Sequence, residues 1–166
     1  MSALRRKFAR IAGPLAAAAL VSTFASPAAS AATSAETVNC YDMSGCVTGI
    51  RAATHTGYDR LVFDLTSGTQ VWRTETNTTG AYSGSSGLTQ YLTAKGTSYL
   101  FIWLEPSYPG AGAVLDRTLN LPTIKGVQVT DYHAARTGFG ISLGPSTRYN
   151  VFTLTAPNRV VVDVYR

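Results

Sequence analysis

Two histidines, nine acidic side chains and two tryptophans carry most of the chemistry this chain could perform. His133 stands two residues after Asp131, and His55 four residues before Asp59. Beside a serine, either pair could supply the base and its orienting carboxylate for a hydrolytic nucleophile. No H-E-x-x-H pattern occurs. Both histidines therefore read as surface residues at turns or strand ends. Glu75 and Glu105 are the carboxylates that glycosidic cleavage would need, one as acid and one as base or nucleophile. They fall on separate predicted strands, with nothing in the sequence to bring them together. A hydrolase is the least favoured reading, and neither a cofactor nor a metal ion is expected, because no ligand set has metal spacing.

Binding has better support than catalysis. Trp72 lies near a polar stretch, Asn77 to Gly87, and Tyr82 lies within it, and both are candidate ligand-binding rings for sugar faces. Ordinary packing is the competing use. Tyr99 and Trp103 sit inside an apolar run and read as core. Arg60 and Arg159 are candidate ligand-binding cations, because a guanidinium can hold an acidic group with two parallel bonds. Their competing use is pairing with an Asp on a neighbouring strand.

These arginines belong to a phrase that occurs twice. Asp59 to Leu65 reads D-R-L-V-F-D-L, and Asn158 to Val164 reads N-R-V-V-V-D-V. Side chains on a strand alternate between faces. Leu61, Phe63 and Leu65 then share the inner face of one copy, and Val160, Val162 and Val164 that of the other. Arg60, Val62 and Asp64 point the opposite way, as do Arg159, Val161 and Asp163. If the copies lie antiparallel and adjacent, one register sets Arg60 opposite Asp163, Val62 opposite Val161 and Asp64 opposite Arg159. Each cross-strand charge pair would contribute roughly 0.2–1 kcal/mol. The alternative places the two strands in different sheets.

The elements that position these residues begin after a leader. Arg5, Arg6, Lys7 and Arg10 precede a short apolar run from Ile11 to about Ala25, and Ala29-Ser30-Ala31 offers a cleavage site. This is the pattern of a secretory signal peptide, residues 1–31. The run is too short to cross a membrane, which takes about 20 residues. The whole chain has 14 basic and 9 acidic residues, a net +5. Loss of the leader removes four basic residues and no acidic ones, leaving ten against nine. The cationic character belongs to the leader, and no basic stripe remains for nucleic acid. Cys40 and Cys46 are expected to form a disulfide in an exported protein, with free thiols as the alternative.

Residues 32–46 read as a tether and small pinned loop, and residues 47–166 as one domain. Strands are predicted at 47–54, 58–66, 70–76, 88–92, 97–105, 124–133, 137–144 and 149–155, with the second phrase last. Asn77 to Gly87 reads as a long polar loop, and Ala111 to Leu121 as a short helix or an irregular strand. Gly138 and Gly140 mark places where neighbouring strands approach closely. Eight to nine short strands and no convincing amphipathic helix point to an all-β sandwich of two small, mostly antiparallel sheets.

The order G-Y-D-R-L-V-F-D-L, then F-G-I-S-L-G from Phe139 to Gly144, then Y-N-V-F-T-L-T-A-P-N-R-V-V-V-D-V resembles the AMIN domains. With His55 to Arg60 reading H-T-G-Y-D-R, it is most similar to the AMIN-like domain of secreted actinobacterial proteins. The resemblance covers Val47 to Arg166. It implies a sandwich of two similar sheets and a non-catalytic module of the cell envelope, with peptidoglycan as ligand. A secreted or wall-associated protein is expected, its partner a cell-wall glycan or an envelope protein. The second reading is an extracellular protein-interaction or enzyme-inhibitor module acting through the polar loop.

Overall fold

A computed structural model describes residues 38–166. The expected signal peptide and the tether up to residue 37 lie outside the described residues. Among the described residues there are twelve strands and no helix: β1 (Cys46–His55), β2 (Tyr58–Leu65), β3 (Gln70–Asn77), β4 (Ala81–Ser83), β5 (Thr89–Tyr91), β6 (Ser98–Glu105), β7 (Tyr108–Pro109), β8 (Arg117–Thr118), β9 (Ile124–His133), β10 (Arg136–Leu143), β11 (Tyr149–Leu154) and β12 (Arg159–Tyr165). The first sheet runs β11-β12-β2-β1-β7 and the second β3-β6-β10-β9-β8, while β4 pairs only with β5. All pairings are antiparallel except that of β1 with β7.

The inner faces follow the alternation of the sequence. Leu61, Phe63, Val160, Val162 and Val164 of the first sheet meet Leu100, Ile102, Leu104, Phe139, Ile141 and Leu143 of the second in one apolar cluster. Phe63 and Phe139 meet across the sheets with ring centroids 4.7 Å apart. Each such side chain, taken fully out of water, stabilises the fold by about 1.5–3 kcal/mol.

The two copies of the phrase are neighbours in one sheet. Arg60 faces Asp163, Val62 faces Val161 and Asp64 faces Arg159. Only one of the two expected charge pairs forms. Arg60 donates from Nε and Nη2 to the two oxygens of Asp163, both at 2.7 Å. Asp64 instead accepts two bonds from Arg51 of β1, also 2.7 Å each. β2 lies between β12 and β1, so Asp64 has a cation within reach on either side. Arg159, beside the Pro157 turn, donates to the Pro157 carbonyl at 3.2 Å. The outward Asp163 is buried, because the guanidinium of Arg60 covers it while lying over Tyr58 and Phe152.

Two local expectations are corrected, and one open alternative is resolved in favour of an irregular strand. Ala111 to Leu121 forms no helix and contributes only β8. The polar stretch from Asn77 to Gly87 contains β4, which forms a hairpin with β5. Asn77 builds the reversal into it: its Oδ1 accepts the Thr79 and Gly80 N–H groups, and its Nδ2 donates to the Ala81 carbonyl. Gly138 and Gly140 face outward and make room for side chains. A Cβ on Gly138 would lie 3.0 Å from Trp103 Nε1, and one on Gly140 would lie 2.5 Å from a Leu92 methyl.

Two clamps hold the ends. Cys40 and Cys46 are joined by a disulfide at the start of β1. At the other end Asp59 is fully buried and accepts from the Thr123 N–H at 2.5 Å and the Thr123 hydroxyl at 2.8 Å, tying β2 to the start of β9.

Candidate functional site

The outer face of the second sheet carries a groove. Its floor comes from β6, where Tyr99, Phe101 and Trp103 recur every second residue and so share one face. Cross-strand registers then build rows. Arg73, Trp103, Gly138 and Asp131 form one row across β3, β6, β10 and β9, and Glu75, Phe101, Gly140 and Gln128 form the next.

A bulge flanks each end of the Trp103 row. On β3 the register slips between Val71 and Arg73, leaving Trp72 as the extra residue. On β9 it slips so that Thr130 is unpaired between Val129 and Asp131. Bulges re-aim side chains. Here they turn Val71 to the core while Arg73 and Glu75 line the outer face, and they bring Thr130 beside Trp103. Simple alternation over residues 70–76 would instead have put Val71, Arg73 and Glu75 on one face.

The hairpin of β4 and β5 stands over this sheet as a wall. Leu92, just after β5, is buried against Gly140 and packs with Tyr99 and Phe101. Tyr82 of β4 extends the floor, with its ring centroid 6.3 Å from Phe101, which is in turn 6.4 Å from Trp103. The Tyr82 hydroxyl donates to Gln90 at 3.1 Å and accepts from Gln128 at 3.2 Å. Burial and the nearby negative charge of Asp116 push the Tyr82 phenol above its ordinary value, so it is a neutral donor and acceptor at physiological pH. The turn of the hairpin is tied down by the Ser85 N–H, which donates to Asp131 Oδ1 at 3.1 Å.

Two adjoining cavities make up the groove. One, about 350 Å³, lies beside the hairpin and includes Glu75, Tyr82, Ser83, Phe101, Thr130 and Asp131 in its lining. The other, about 240 Å³, is lined by Trp72, Arg73, Trp103, Asp131, His133 and Arg136. Trp103 and Asp131 line both. Arg136 lies flat on Trp72, its guanidinium carbon 3.7 Å from the ring centroid, and pairs with Glu105 at 2.7 Å. Arg73 sits over Trp103 at 5.2 Å and pairs with Glu75. A larger hollow of about 950 Å³ beside the disulfide loop holds only one ring, Tyr41, and no arginine.

The four candidate binding residues separate into two places. Trp72 and Tyr82 lie at opposite ends of the groove. Arg60 and Arg159 are on the outer face of the first sheet, on the far side of the core. His55 is on that face too, stacked on Tyr58 at 4.8 Å, whereas His133 and Asp131 line the same cavity. Glu75 faces Phe101 and Glu105 faces Gln70, four positions apart along β6, which is about 13 Å. Each carboxylate is paired with an arginine, Glu75 with Arg73 and Glu105 with Arg136.

Trp103, Phe101 and Arg136 line the groove without having been placed in a site by the sequence, and Asp131 entered the reading only beside His133. One signal was present. Gly138 and Gly140 alternate with large apolar residues on a buried strand, a pattern that calls for bulky neighbours on the glycine face. The aromatic residues of β6 are those neighbours.

The family model described as the AMIN-like domain matches residues 45–166, the whole of the sandwich from the disulfide onward. A comparison with curated proteins finds no match.

Proposed function

The chain belongs to the AMIN-like domain family, and from that premise we propose that it is a non-catalytic module that binds peptidoglycan in the cell envelope through the groove on its second sheet. The observation that carries this reading is the gathering of Tyr82, Trp103 and Trp72 along one concave surface over the buried Phe101, with Arg136 fixed against it. A floor of rings suits the apolar faces of a glycan strand. The hydroxyls and carboxylates around it suit sugar hydroxyl and acylamino groups. The leader pattern supports export, and the Cys40–Cys46 disulfide suits an oxidising compartment outside the cytoplasm.

Stacking contacts are less sensitive to salt than ion pairs between exposed charges. The protein should therefore sediment with insoluble peptidoglycan at both low and high salt. A chain that stays in the supernatant under both conditions would overturn the reading, and the protein-interaction reading would take its place.

A further inference from the structure

The two cavities of the groove differ in what they ask of a ligand. The hairpin side is rich in acceptors, with carboxylates of Glu75 and Asp131 and hydroxyl oxygens of Ser83 and Thr130. It suits a group that donates, such as sugar hydroxyls and an acylamino N–H. The Trp72 side shares the carboxylate of Asp131 but adds donors, the guanidinium groups of Arg73 and Arg136, beside the imidazole of His133. It suits a group that accepts. Trp103 floors both sides and offers an apolar ring face between them.

Arg136 is the best-placed donor. Its Nε and Nη2 both go to a single oxygen of Glu105, at 3.1 and 2.7 Å, which leaves Nη1 available among the described residues. Trp72 beneath and Glu105 beside it fix the guanidinium plane before any ligand arrives. A pre-fixed guanidinium gives a carboxylate a charge-assisted bond without the entropy cost of ordering a free side chain. The Phe101 row and the Arg136 row are four residues apart along β6, about 13 Å. That span suits a disaccharide.

We propose that the groove selects glycan carrying a free carboxylate next to an N-acylated amino sugar, with the sugar on Tyr82 and Trp103 and the carboxylate on Arg136. This rests on the peptidoglycan reading above and narrows it. In peptidoglycan the carboxylate borne by the sugar is bound in an amide to the stem peptide. It is free only where that peptide has been cut away. The preferred ligand is then the denuded strand, and the supplying reaction is hydrolysis of the amide between sugar and peptide.

The test is sedimentation of the full mature chain with three insoluble walls: intact, stripped of stem peptides by an amidase, and stripped and then capped as carboxamides with a carbodiimide and ammonia. Binding should strengthen at least fivefold on stripping and return to the intact level on capping. Arg136→Gln should remove the gain on stripping, and Arg136→Lys should recover only part of it. Thermal melts of both variants check that the fold is retained. Equal binding to all three walls overturns this inference and leaves the peptidoglycan reading in place. Binding to none overturns both.

Discussion

At the scale of single residues, the side chains of the groove separate binding from folding. Trp72 is 51% exposed, and its substitution removes a ring face without opening the core. Trp72→Ala should weaken wall binding about tenfold, or about 1.4 kcal/mol, and leave the melting temperature nearly unchanged. A binding isotherm with a parallel melt checks both. Asp59 is the opposite case. Burial alone would raise its carboxyl, but bonds from Thr123, Thr54 and Arg166 outweigh burial and hold it below its ordinary value of 3.8. A group with a lowered folded value stabilises the fold above its unfolded value and loses that contribution as pH falls through the folded one. Wild-type protein should therefore melt well above Asp59→Asn at neutral pH, and the gap should close as pH falls below about 4. A gap independent of pH would show that the carboxylate charge contributes nothing. The polar identity of Asp59 was visible in the sequence but its burial was not, since Thr123 and Arg166 approach from distant parts of the chain.

At the scale of elements, the hairpin of β4 and β5 depends on a small anchor. Leu92 is buried on Gly140, and Gln128 and Asp131 hold the hairpin by three bonds to Thr93, Tyr82 and Ser85. Leu92→Ala should cost about 2–3 kcal/mol and lower affinity for the wall, because Tyr82 loses its position. Gly140→Val should lower affinity in the same way by filling the seat of Leu92. Amide hydrogen exchange would locate the effect: faster exchange confined to residues 81–92, with β6 and β10 unchanged, is expected. The long strands were legible because seven or eight residues of alternation outlast local irregularity, as in β12 and β2. β5 falls within the strand expected at 88–92, but the three-residue β4 was not legible, since so short a run has no period to read. The bulges at Trp72 and Thr130 were hidden for a related reason. A bulge breaks the alternation that would reveal it.

At the scale of the whole molecule, two sheets present two different outer faces. The first sheet carries the repeated phrase, and its arginines are occupied by Asp163, Asp64 and a turn carbonyl. The second carries the groove. The fold class, the register of the phrase and the disulfide could be read in advance because each follows from a pattern within a few residues or from one pairing rule. The groove could not, because it is assembled from β3, β4, β6, β9 and β10 through cross-strand rows. The disulfide closes a loop with a sequence separation of only 6. By chain entropy it should contribute about 2 kcal/mol, and reduction should lower the calorimetric melting temperature by about 5 °C without changing which face binds. The claim that the second sheet is the binding face is tested most directly by amide and indole chemical-shift mapping with a soluble peptidoglycan fragment. Binding should shift the indole N–H signals of Trp72 and Trp103 and the amides around Tyr82, Phe101 and Asp131. Shifts gathered instead around Arg60 and Arg159 would contradict it.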